Sequence, residues 1–255
     1  FVVDTDPGVI EVQTRPQTVR EIKKNVDRLQ TDLFDAAAEI NLFPHLHHGG
    51  GHIHMSAEGS VDNNILLMRN LIVDFVNHPG LSTGILERDF LNAPPLTQLH
   101  PENLEAFRRV IEDVDNKKIR SPRVLAERIN TDVYTWNQYS IERPDKFQAL
   151  NLIRIAEEDP PDRTFEFRAI RAQKTAGEFL ILTRMLEGRM AFLKRQTAPI
   201  PIKLPDFDEF EDLKHMKAFS KYLAQAGITL KEFTASYDLP IRYVNATYRV
   251  RQTTL

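Results

Sequence analysis

Gly51-His52-Ile53-His54-Met55-Ser56 alternates polar and apolar side chains, the two-residue period of a strand with one buried face. On such a strand both imidazoles project to one side, about 6.6 Å apart along the chain, while Ile53 and Met55 project to the other. Gly49, Gly50 and Gly51, just upstream, let a second backbone or a phosphate approach closely. A second alternating run, Arg163 to Ile170, sets Phe165, Phe167 and Ala169 against Glu166, Arg168 and Ile170. A third, Val9 to Thr14, follows the turn Asp6-Pro7-Gly8 and gives Val9, Glu11 and Gln13 a common face; Asp4 lies on a short β-type run before that turn.

Between these runs the apolar period becomes helical. Val19, Ile22, Val26, Leu29, Leu33, Phe34 and Ala37 recur at three or four, with Gln17-Thr18 as a start and Pro44 as a stop. A second helix spans about 63–77 and ends at Pro79-Gly80. Helical pattern returns at 101–114, 121–129, 145–157 and 174–196. After Pro199, Pro201 and Pro205 come helices at about 208–226 and 229–236 and a strand-like tail at 241–251. The pattern predicts an α+β protein in which helices back a curved sheet.

The 255 residues fit one large or two modest domains, and they carry 33 Lys+Arg against 36 Asp+Glu, a net charge of −3. No basic stripe stands out, which argues against nucleic acid as a partner. The longest apolar stretch, Phe179 to Met190, is broken by Arg184, Glu187, Gly188 and Arg189, short of the ~20 apolar residues of a membrane span. The absence of cysteine excludes disulfides, thiolate metal sites and a cysteine nucleophile, and suits a reducing, cytoplasmic setting. The start, Phe1-Val2-Val3-Asp4, reads like the interior of a strand and predicts that the chain is a piece of something longer.

Taken singly, Asp4, Glu11, the His52-x-His54 pair and the Glu166-x-Arg168 pair each read as solvated strand residues, a surface ion pair contributing only ~0 to 1 kcal/mol. Together they place carboxylates, imidazoles and a guanidinium on the polar faces of separate strands. If those strands are neighbours, they build one acidic concave site suited to magnesium or manganese holding nucleotide phosphates, since hard cations prefer carboxylates and manganese also accepts imidazole.

The segments resemble a known superfamily. Asp4-x-x-Pro7-Gly8-x-x-Glu11 resembles the acidic Pro-Gly loop and strand of glutamine synthetases, Gly51-His52-Ile53-His54-Met55-Ser56 their Gly-x-His-x-His-x-Ser strand, and Glu166-Phe167-Arg168 their late Glu-x-Arg strand. The triple glycine, His78-Pro79-Gly80-Leu81-Ser82 and Phe165-Glu166-Phe167-Arg168-Ala169 are closer to the amidoligases. Lys146-Phe147-Gln148-Ala149-Leu150-Asn151-Leu152 is similar to the Ala-Leu-Asn-Leu stretch that precedes Glu-x-Arg in glutamate–cysteine ligases and amidoligases.

The resemblance implies a glutamine synthetase-like half-barrel of antiparallel strands holding ATP and Mg2+ (or Mn2+), and an ATP-dependent carboxylate–amine ligase working through an acyl phosphate. Asp4, Glu11, His52 and Glu166 match metal ligands, His54 and Ser56 positions near the nucleotide, Arg168 the arginine facing phosphate or substrate carboxylate, and Asn151 a substrate contact. It covers residues 1–196 as a catalytic domain that lacks an upstream part; 197–255 reads as a proline-marked linker and helical extension. Asp4 stands where glutamine synthetases have Glu, Thr164 where they have an arginine, and their paired upstream glutamates have no counterpart here. Partners implied are small-molecule or peptide carboxylates and amines, and a homo-oligomer stays open.

Two rival readings have their own residues. His52-x-His54-x-x-x-Glu58 matches half of a cupin motif, which would demand a β-sandwich. The missing glutamates and the C-terminal helices suit a non-catalytic interaction protein on the amidoligase scaffold.

Overall fold

The computed structural model describes residues 2–6, 9–44, 50–61, 63–81, 85–86, 96, 101–134, 148–157, 163–204 and 212–253. Strands β1 (Val2–Asp6) and β2 (Val9–Gln13) form a two-stranded antiparallel ribbon in which Asp4 lies opposite Glu11, Val3 opposite Val12 and Thr5 opposite Ile10. Pro7 and Gly8 of the expected turn fall outside the described residues.

The first helical stretch is segmented: α1 (Val19–Lys24), α2 (Val26–Leu29), a π-helical turn over Gln30–Asp35 and α3 (Ala36–Glu39). Thr18 and Glu21 close a reciprocal capping box at its start. Its Ile22 and Leu29 are buried against Ala176, in a small cluster separate from the main core.

Strand β3 (Gly50–Ser56) is followed by α4 (Ile65–Val76), capped by the Asn64 side chain accepting from the Leu67 N–H. Every α4 residue from Leu67 to Val76 is buried, as befits a helix enclosed on all sides. Then come α5 (Pro101–Asp115), and α6 (Pro122–Arg128), which runs into a second π-helical turn at Ile129–Val133. Where the pattern at 145–157 predicted one helix, the described part holds strand β4 (Leu150–Asn151) and a single helical turn, α7 (Ile153–Ala156).

Strand β5 (Thr164–Arg171) is the centre of a second antiparallel sheet, ordered β3-β5-β4. A bulge shifts the β3–β5 register between Gly51 and Ile53, where Gly51 pairs with Ile170 but Ile53 with Phe167. The molecule is thus α+β, mostly helical, with two small antiparallel sheets among the described residues. Among the described residues no helix is long and apolar enough to cross a membrane.

Helices α4 and α8 (Ala176–Lys194) cover the apolar face of this sheet. Phe75 meets Phe167 edge to face at 5.5 Å between ring centroids, and Met55, Leu71, Leu150, Phe165, Leu186 and Met190 line one small cavity with them. Helices α9 (Asp212–Gln225) and α10 (Leu230–Ser236) contribute Met216, Phe219, Leu223, Leu230 and Phe233 to the same continuous core.

The stretch expected to separate the tail runs along α4. Asn70 donates to the Ala198 carbonyl and accepts from the Ile200 N–H, and Asn77, two turns on, does the same with the Pro201 carbonyl and the Lys203 N–H. The last element corrects the sequence reading. Residues 241–251 form helix α11 (Ile241–Thr253), not a strand. Its β-branched content imitates a strand, but Tyr243, Ala246 and Thr247 are the buried positions, a three-and-four spacing that packs on α9.

Buried ion pairs join the layers. Arg171 and Glu178 form a bidentate pair, 2.5 and 2.9 Å, with side chains 0% and 3% exposed, and Arg189 holds Asp74 between α8 and α4. Glu178→Ala leaves the Arg171 charge buried without its carboxylate and should cost about 3–5 kcal/mol in urea unfolding. Gly188 is enclosed, because an added Cβ would overlap the Ala226 carbonyl. Gly188→Ala should therefore lower stability by about 1–3 kcal/mol in the same assay, despite the better helix propensity of alanine.

Candidate functional site

The sheet brings together residues from three segments. His54 on β3 and Asn151 on β4 are both Cα partners of Glu166 on β5, so the three stand in one row across the sheet. Residues directly opposite in an antiparallel pair share a face, and His52 and Arg168, two positions along their strands, join that face.

Glu166 is the hub. Its Oε1 accepts from Arg168 Nη1 at 2.7 Å and lies 3.1 Å from His52 Nδ1 and 3.7 Å from His54 Nε2. Its Oε2 accepts from Asn151 Nδ2 at 2.9 Å. Asn151 is oriented in turn by the Ile153 N–H, which donates to its Oδ1 at 2.9 Å, and His54 Nδ1 sits 3.3 Å from Thr164 Oγ1. The bulge accounts for His52 reaching Glu166 diagonally, because the extra β5 residue opposite it brings the imidazole alongside the carboxylate.

Burial grades across the row. The side chains of Arg168 and Glu166 are 7% and 10% exposed, those of His52 and His54 26% and 40%. The carboxylate and guanidinium, which taken singly read as solvated strand residues, are buried, with the imidazoles as the rim. Burial pushes the His54 imidazole below the usual histidine range; the Glu166 carboxylate pulls the other way, Arg154 and Arg168 add to the lowering, and Glu11 opposes it. The neutral ring that results has a nitrogen lone pair for a metal or a proton.

The other expected residues stand apart. Asp4 and Glu11 lie opposite each other on the exposed ribbon, which among the described residues shares no strand pairing with the β3-β5-β4 sheet. Ser56 ends β3 opposite Thr164, and its hydroxyl turns to the Glu58 carbonyl at 3.5 Å. Among the described residues no group of three or more His, Asp or Glu side chains is arranged to hold a metal ion. Of the quoted motifs, Gly49, Ser82, Lys146 and Phe147 also lie outside the described residues. Two contributors were not read from sequence as part of the site: Thr164, noted only as standing where glutamine synthetases have an arginine, and Arg154, three residues after Asn151. Their positions beside quoted motifs were the available clue.

The mostly helical α+β layout is unlike the β-sandwich that the His52-x-His54-x-x-x-Glu58 reading requires. Because His54 has a lowered pKa in the fold, the unfolded chain takes up a proton there first as pH falls. Stability should be unaffected by this group above about pH 7 and decline as pH drops below about 6.5. Urea midpoints measured from pH 7.5 to 5 should show that decline, and His54→Gln should flatten part of it.

Comparison with family models, with curated proteins and with solved structures finds no match to this chain.

Proposed function

We propose that the protein is an ATP- and divalent-metal-dependent carboxylate–amine ligase acting through an acyl phosphate, with the β3-β5-β4 sheet as the floor of a curved half-barrel and the cytoplasm as its setting. The observation that carries this reading is the convergence on Glu166 of His52, His54, Asn151 and Arg168, residues singled out from three distant segments for that chemistry.

The donor set fits a hard cation that tolerates nitrogen, manganese somewhat better than magnesium, since it combines imidazoles with a carboxylate. His52 and Glu166 would hold the ion, joined by Glu11 and Asp4 once the ribbon closes alongside them, and the ion would supply charge neutralisation for the phosphates. Arg168, fixed against Glu166, places a positive charge where a transferring phosphoryl group or a substrate carboxylate needs one. Asn151, locked by the Ile153 N–H, and neutral His54 orient what lies on the rim. Positioning and electrostatics, rather than a covalent enzyme intermediate, are the means of rate enhancement.

One observation favours a second reading. Both Glu166 oxygens already accept bonds from protein donors, as they would in a structural hub of a non-catalytic interaction protein.

Calorimetric titration of ATP with and without magnesium or manganese separates the two. The ligase reading expects metal-dependent binding and slow ADP formation, both abolished by Glu166→Gln and weakened at least about tenfold by His52→Gln, with circular dichroism establishing that each variant is folded. Absence of nucleotide binding with either metal, or undiminished turnover in folded Glu166→Gln, would favour the hub.

A further inference from the structure

The β1–β2 ribbon exposes an apolar face: Val3, Ile10 and Val12 are 66%, 49% and 37% exposed. These residues pair as Val3–Val12 and Thr5–Ile10, so they share one side, and Asp4–Glu11 occupies the other. An isolated two-stranded ribbon is marginally stable in water and gains stability by joining a larger sheet or packing on a core. Among the described residues, β3 is an outer strand of its own sheet, bonded to β5 on one side and to no strand on the other. An open edge is a template for strand pairing.

We propose that the β1–β2 ribbon docks on the open edge of β3, extending the three-stranded sheet to five strands. The two-residue period of both elements supports this. Ile10 and Val12 flank Glu11 as Ile53 and Met55 flank His54. Setting Glu11 beside His54 therefore places apolar residues against apolar residues on the core face, where Ile53 is buried and Met55 partly so. The row Asp4, Glu11, His54, Glu166, Asn151 then becomes continuous on the polar face. A one-residue slip would mismatch both faces at once, so the register is strongly specified.

On β1 the residues flanking Asp4 are Val3 and the polar Thr5, whereas on β2 both residues flanking Glu11, Ile10 and Val12, are apolar, which makes β2 the pairing strand. A second copy is the weaker occupant for the ribbon. Three aliphatic side chains fall well short of the about 800 Å² per partner that a stable interface buries, whereas docking within the chain avoids the loss of translational freedom. The inference holds independently of the ligase reading, because it rests on burial and strand pairing alone.

Hydrogen exchange of the β3 amides, followed by mass spectrometry at two protein concentrations, tests it. Docking should slow the β3 amides that do not bond to β5, and the Ile10→Lys, Val12→Lys double variant should speed those amides by about tenfold or more while sparing the amides bonded to β5. The cysteine-free chain also allows an unambiguous cross-link. Val12→Cys or Ile10→Cys combined with Met55→Cys should form a disulfide within one chain under mild oxidation. Exchange rates unchanged by the double substitution, or a cross-link that forms only between chains, would overturn the proposal.

Discussion

The buried Arg171–Glu178 pair is the constraint on which the rest of the fold turns. It sits where the central strand β5 ends and the long helix α8 begins. Glu178 is in the first turn of that helix, where a negative charge complements the dipole, and its carboxylate also accepts from the Lys174 N–H at 2.7 Å. Arg171 in turn lies 4.5 Å over the Tyr237 ring and donates to the Asp238 carbonyl, and Tyr237 donates its hydroxyl to Leu86. One guanidinium therefore fixes a strand end, a helix start and the tail segment between α10 and α11. Desolvating two charges is expensive, and it is sustained here because several donors and acceptors satisfy both groups.

Helix α8 then transmits this placement to the layer beneath the site. Arg189 reaches Asp74 on α4 and Gln225 on α9, and its guanidinium lies 4.1 Å from the centroid of Tyr222. Three helices thus share a polar contact inside an otherwise apolar layer, which sets their rotation about their own axes. Phe75, one residue after Asp74, meets Phe167 from below. The strand that carries Glu166 and Arg168 on its upper face is positioned by what grips its lower face.

Features governed by neighbours in sequence were legible in advance. The alternation of β3 and β5 revealed which faces carry Glu166, Arg168 and the imidazoles, and the Thr18–Glu21 box began a helix where Gln17-Thr18 was read as its start. Features governed by distant contacts were not. Strand β4 is two residues long and exists through its pairing with β5, so nothing local distinguishes it from the helical pattern around it. Helix α11 carries strand-like residues, and its packing on α9 overrides them. The grouping of His52, His54, Asn151, Glu166 and Arg168 followed from sheet order, while the ribbon position of Asp4 and Glu11 depends on tertiary placement that alternation cannot encode.

The asparagine-pinned strap on α4 has a consequence for how the chain reaches its native state. Its bonds to Arg69, Asn70 and Asn77 join residues between 124 and 131 positions apart, contacts whose loop-closure entropy is large. Closing them costs more chain entropy than the local contacts within α4 or α8 do. During synthesis the Asn70 and Asn77 side chains can meet these partners only once the chain past Lys203 has been made, so the core's central helix is completed by a segment made long after it.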